Sequence, residues 1–194
     1  MTLMNEAKLG RTTEEMLTVA KREAMDVEAL KRRIASGKII IVKNVVRENS
    51  MVIGIGEGLT TKINANIGTS SEFCDVDYEL EKARTAVKYG ADTLMDLSTA
   101  GDLNQIRTLI LKEVKVPVGS VPIYQAAVES VQKHGSVVDM TEDEILNVVE
   151  KHAKDGIDFM TIHAGITKNI VEKLLHHPSP KKKITNLLCI INCR

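Results

Sequence analysis

Asn64 and Asn66 stand two residues apart in TKINANIGTS (61–70), a run that otherwise reads as a β-strand stopping at Gly68. Asparagine is a poor strand former, because its short amide competes for nearby backbone groups. Two amides there suit recognition more than folding. Met95, Asp96 and Ser98, then Ser120 and Tyr124, then His163 follow at the ends of comparable apolar runs. The chemistry such a set fits is the binding of a polar small molecule. Each residue also has a simpler use. An asparagine at a strand end usually caps the next turn. Met95 inside TLMDL is at home in a core, Tyr124 can pack with its hydroxyl at the surface, and a lone His163 suits a satisfied core position. What favours a site is recurrence: four successive units each end at equivalent depth in such a residue.

Those units come from a strand–helix alternation that begins after Gly58. TKINANIG precedes the helical VDYELEKARTAVKYG, and DTLMDLST precedes DLNQIRTLILKEV. VPVGSVPIYQ precedes helical stretches through Val131 and from Thr141 to Lys154, and DFMTIHAG precedes ITKNIVEKLLHH. Four βα units with apolar strands are the pattern of a parallel sheet covered by helices. KYGAD and KDGID each place a glycine after a helix and an acid before the next strand. A doubly wound sheet would place a Gly-rich turn between its first strand and a helix. GIGEG instead precedes a second strand-like run. The fold class expected is therefore α/β, the first four βα units of a (β/α)8 barrel, whose ligands meet the carboxyl ends of the strands.

Ahead of the barrel, residues 1–58 read as a small helix-and-strand region. Thr12 and Glu15 have capping-box spacing, and Met16, Ala20, Ala24, Val27, Leu30 and Ile34 recur at helical intervals, predicting one helix from Thr13 to Ala35. KIIIVKNVV (38–46) and SMVIGIGEGL (50–59) read as strands, a candidate hairpin.

Composition excludes several roles. Lys plus Arg and Asp plus Glu both total 26, and aromatics are 3% with no Trp, so neither a basic field nor a stacking platform for nucleic acid is expected. The longest uncharged run, VPVGSVPIYQAAV, is too short to span a bilayer. With no secretory h-region in MTLMNEAKLGRTTEEM, the expected location is cytoplasmic. Cys74, Cys189 and Cys193 form no disulfide framework, and the C-x3-C spacing of the last two is no complete metal motif. His134 and His152, in charged helical segments, read as solvated, as does the His176–His177 pair.

GEGLTTKINANIGTS, GADTLMDLST, VPVGSVPIYQA and DFMTIHAGIT, together with TEEM and KREAMDVEALKRRIASGKIII near the start, resemble the phosphomethylpyrimidine synthase family, the radical S-adenosylmethionine enzymes of thiamine biosynthesis. The resemblance runs from residue 1 to about residue 177. It implies a lyase with a (β/α)8 core that converts aminoimidazole ribotide to hydroxymethylpyrimidine phosphate. It further implies a 4Fe-4S cluster, S-adenosylmethionine, zinc and a homodimer. The family's substrate-binding asparagine, methionine, tyrosine and histidine fall on Asn66, Met95, Tyr124 and His163. The later Ser-Arg-Gly and Asp-Gly-x-Arg loops, the metal-binding histidines and the C-x2-C-x4-C cluster motif have no counterpart here. PSPKKKITNLLCIINCR (178–194) departs from the family and reads as a frameshifted or truncated end, a native amphipathic tail being the other reading. The expected organisation is thus 1–58, 59–177 and a divergent 178–194. The expected function is that of an inactive, self-associating N-terminal fragment of the lyase. The alternative is a non-catalytic half-barrel that binds a ribotide or phosphate.

Overall fold

Three short helices open the chain, and each starts where a side-chain oxygen takes up a free backbone N–H. In the computed structural model, which describes residues 2–165, 167, 169 and 188–192, Thr2 caps α1 (Leu3–Lys8), Thr13 caps α2 (Glu14–Arg22) and Asp26 caps α3 (Val27–Ala35). The single helix expected from Thr13 to Ala35 is thus two, and its cap is Thr13 rather than Thr12. The break has local causes. Ala24 adopts a left-handed φ of 51°, and the Asp26 carboxylate accepts the Ala29 N–H at 2.9 Å, starting a new helix. Glu23 at the joint turns to the later loop, accepting from Thr60 N and Oγ1 and pairing with Lys62.

The two β-branched runs form the expected hairpin. β1 (Ile39–Val42) pairs antiparallel with β2 (Ile53–Gly56), Ile39 opposite Gly56 and Val42 opposite Ile53. The alternation then follows: β3 (Asn64–Ile67), α4 (Val76–Lys88), β4 (Thr93–Asp96), α5 (Leu103–Glu113), β5 (Val118–Ser120), α6 (Pro122–His134), α7 (Glu142–Asp155) and β6 (Phe159–His163). β3, β4, β5 and β6 pair in that order and in parallel, and β7 (Leu188–Asn192) lies antiparallel on β6. The protein is therefore a mixed α/β fold built on a four-stranded parallel sheet. The helix predicted over ITKNIVEKLLHH and the His176–His177 pair lie outside the described residues. Among the described residues no helix is long and apolar enough to cross a membrane.

Alternation along the strands sorts the sheet into two faces. Ile67, Leu94, Val118 and Met160 point to the helices and pack with Ala83, Ile106, Ile110 and Leu111. On the opposite face Met95 and Phe159 meet Val42 and Ile40 of β1, so the hairpin covers part of the sheet. A buried ion pair fastens the same region. Asp158 accepts from Arg47, from the backbone of Asn44 and Val118, and from Ser50 Oγ. Arg47 also donates to the carbonyls of Val114 and Val116 and, through Nε, to Asn49 Oδ1. The acids anticipated before the strands are thus structural pins. Asp158 locks the start of β6, and Asp92 accepts the Ile63 N–H at 2.8 Å ahead of β3.

Candidate functional site

Strand register decides which candidates share a level. Asn66 lies opposite Met95, Met95 opposite Gly119, and Gly119 opposite Phe159. All four sit on the face away from the helices. Gly119 is required there, since a Cβ would come within 2.3–2.8 Å of the Phe159 ring. The ring thus lies over bare backbone and reaches the Met95 side, where Val42 and Val121 close the cluster. Met95 is only 8% exposed, so its contact with these neighbours accounts for most of its surface.

Asn64 and Asn66 both face outward from the same side of β3 and are exposed. Asn64 Nδ2 donates to Asn66 Oδ1 at 3.2 Å, and Thr93 Oγ1 donates to Asn64 Oδ1 at 2.8 Å. Asn64 therefore belongs to the level of Thr93, one layer below Asn66 and Met95. Between Asn64, Thr93 and Met95 on one side and the hairpin on the other runs a cavity of about 390 Å³, lined also by Ile40, Val42 and Phe159 but not by Asn66.

The other two candidates meet each other. The Tyr124 and His163 rings stack with centroids 6.3 Å apart and planes 27° from parallel. Tyr124 comes from the first turn of α6 and is 36% exposed. His163 is the exposed last residue of β6. It is four residues beyond Phe159, about 13 Å further along the strand at some 3.3 Å per residue. The four family-implied residues are therefore two pairs, Asn66 with Met95 and Tyr124 with His163, rather than one ring at equivalent depth. The physical reason is that residue counts to a strand end do not measure register, which hydrogen bonding between strands sets.

Asp96, Ser98 and Ser120 do not join them. Asp96 and Ser120 have the opposite parity to Met95 and Gly119 and turn toward the helices, where both are buried. Asp96 accepts from Ser98 N and Oγ at 3.0 and 2.6 Å, and burial raises its pKa. Ser120 Oγ lies 2.8 Å from His152 Nδ1. His152 is consequently buried, at 3% exposure, where its charged surroundings in sequence suggested solvent. Its Nε2 lies 2.8 Å from Gln125 Oε1 and 3.0 Å from Arg107 Nη1. Desolvation first, then the Arg107 charge, lowers its pKa to about 3, so it is neutral.

Arg107, Gln125 and His152 form a buried polar network that sequence reading passed over. One signal was visible. Leu103, Ile106, Arg107 and Ile110 fall on the buried stripe of α5, so a guanidinium stands at a core position. Arg107 answers that burial with bonds to Asn104, Gln125 and Asp155.

A metal or cluster needs several ligands converging on one point. Among the described residues no group of three or more His, Cys, Asp or Glu is placed to hold a metal ion, and Cys74 is a free, exposed thiol. The described residues do not fit a cluster or a zinc ion.

Comparison with known proteins shows the family. A family model described as "Radical SAM ThiC family" matches residues 2–186, past the Pro178 at which the resemblance was expected to end. A phosphomethylpyrimidine synthase of Pyrococcus furiosus is 55% identical over 174 residues, 90% of this chain and 41% of the relative. One of Methanococcus maripaludis is 53% identical over 178 residues, covering 92% and 42%, and one of Methanocaldococcus jannaschii 52% over 174 residues, covering 90% and 41%. The chain spans about two-fifths of the length of these relatives. It belongs to the radical SAM ThiC family.

Proposed function

We propose that this chain forms the N-terminal part of a phosphomethylpyrimidine synthase and supplies one wall of its substrate site. The overall reaction is conversion of aminoimidazole ribotide to hydroxymethylpyrimidine phosphate in thiamine biosynthesis, in the cytoplasm and within a homodimer. The four parallel strands and their helices are then the first half of a (β/α)8 barrel, with residues 1–58 as the preceding region, 59–177 as the half-barrel and 178–194 as an end that diverges from the family beyond the matched residue 186. An iron–sulfur cluster would be held by other segments of the full protein, since the described residues do not fit one, and with S-adenosylmethionine it would supply the radical chemistry. The residues here bind and orient. Asn66 offers an amide to polar ligand atoms beside Met95, and the Tyr124–His163 pair offers a flat surface against which a heterocycle can stack.

The observation carrying this reading is the Tyr124–His163 stack at the end of β6, in a chain 55% identical to a phosphomethylpyrimidine synthase over nearly all its length. The test is to join residues 1–177 to the remaining portion of the Pyrococcus furiosus relative, reconstitute the cluster and measure pyrimidine phosphate formation. Product is expected, and it should fall sharply when Asn66 or His163 is replaced by Ala. A fusion with intact cluster and bound ribotide that makes no product would overturn the proposal.

A further inference from the structure

We propose that Gln125, clamped by Arg107 and His152, is a positioning residue that holds Tyr124 against His163; this rests on the reading of that pair as a substrate surface. The start of α6 needs such a device. Its N-cap residue, Val121, makes no side-chain capping bond, and Pro122 at the first helical position has no N–H. The first turn that carries Tyr124 therefore has no side-chain cap, its local tie being the Tyr124 N–H donated to the Val121 carbonyl at 3.0 Å.

Gln125, the next residue, provides the missing anchorage. It is 3% exposed, and both ends of its amide are engaged. Oε1 accepts from Arg107 Nη1 at 2.7 Å and from His152 Nε2 at 2.8 Å. Nε2 donates to Asn104 Oδ1 at 2.9 Å and to Glu129 Oε1 at 2.7 Å. Those four bonds use the full capacity that an amide shows here, two donated and two accepted. Because Oε1 can only accept, its 2.8 Å contact assigns the His152 proton to Nε2. The 3.0 Å approach of Arg107 Nη1 to Nε2 is then a contact of two donors that share Oε1, and Nδ1 is left to accept from Ser120 Oγ at 2.8 Å. Ser120 ends β5, two residues before Pro122. One imidazole thus fixes the strand that leads into α6, and the same imidazole fixes the first turn of α6 through Gln125. Successive helical residues point about 100° apart, so a buried Gln125 sets the direction in which the exposed Tyr124 emerges.

The test uses the 194-residue chain and the ring-proton resonances of His163, assigned with His163→Gln. Tyr124→Leu defines the displacement that loss of the stack produces. Gln125→Met, similar in size but unable to form the four bonds, is expected to move the His163 resonances at least half as far. Val148→Ala, which trims another buried residue of α7, is expected to lower the melting temperature while leaving those resonances in place. Should Gln125→Met fail to fold, His152→Phe removes the same clamp from its other side and carries the same expectation. Unchanged His163 resonances in the folded clamp variant, or an equal displacement in Val148→Ala, would overturn the proposal. A parallel titration with aminoimidazole ribotide separates the two readings. No ribotide-induced change at His163 would count against the substrate surface while leaving the positioning result intact.

Discussion

The Tyr124 ring lies 6.3 Å from that of His163, with the two planes 27° apart, although the rest of α6 and all of α7 lie between them in sequence. Stacked pairs of this kind are worth about 0.5–1.5 kcal/mol beyond the area they bury. In the fused enzyme Tyr124→Phe keeps the stack and loses only the hydroxyl. Tyr124→Leu loses both, and its ribotide affinity should fall by a further two- to tenfold, roughly the same energy. Equal affinities for the two variants would show that the ring face is not part of the binding surface.

Asn64 and Asn66 should separate by role. Asn64 accepts from Thr93, while Asn66 stands level with Met95, nearer the strand's carboxyl end. Asn64→Ala strands the Thr93 hydroxyl and should cost about 1 kcal/mol of stability. Asn66→Ala should leave the melting temperature nearly unchanged and weaken ribotide binding roughly ten- to a hundredfold, about 1–3 kcal/mol. Affinity and melting temperature measured for both variants check this, and a reversed pattern would count against the assignment.

His152 makes stability depend on pH. Its pKa falls to about 3 in the folded chain, from an ordinary value near 6.5 when unfolded. Its contribution is therefore complete above about pH 6.5 and is lost as pH falls toward 3, at about 1.4 kcal/mol per pH unit. Asp96 works in the other direction, since burial raises its pKa and its contribution fades as pH rises. Urea unfolding across this range should give His152→Gln a shallower dependence than the parent chain. Parallel curves would show that His152 is not held neutral.

The Arg47–Asp158 pair is sealed between the 43–52 segment and the sheet, with side chains 4% and 0% exposed. Removing one charge of such a pair leaves the other uncompensated, at about 3–5 kcal/mol. Arg47→Met should approach that cost. Arg47→Met combined with Asp158→Asn should recover part of it, because no bare carboxylate remains. Denaturation midpoints of the single and double variants provide the measurement.

Gly119 and Phe159 should behave as a coupled pair. A methyl at Gly119 would meet the ring at 2.3–2.8 Å, so Gly119→Ala should destabilise by about 1–3 kcal/mol. Phe159→Leu should absorb much of that loss in the double variant. Additive effects in a double-mutant cycle would show that the ring moves aside freely.

Much of the fold was legible because it is local. The hairpin, the first three strand–helix units, the strand of the fourth and the glycine stops follow from side-chain periodicity and backbone freedom, which neighbours in sequence determine. The capping residues show the limit of that reading. Thr12 and Thr13 offer the same hydroxyl, and Asp26 inside an unbroken apolar rhythm gives little sign that it starts a helix. The split between α2 and α3 is stabilised from outside, by Thr60 and Lys62 gripping Glu23.

The sequence by itself determined the residue types at the strand ends, the parallel α/β class and, through its long ordered matches, the family. It could not determine levels or faces. Whether Met95 stands beside Asn66 or beside His163 depends on inter-strand register, and that is set by hydrogen bonds between segments some 30 residues apart. The same holds for Ser120 and His152. Only the packing of α7 on β5 turns a histidine from a charged helix into a buried neutral ring, because desolvation is a property of what surrounds a group in space.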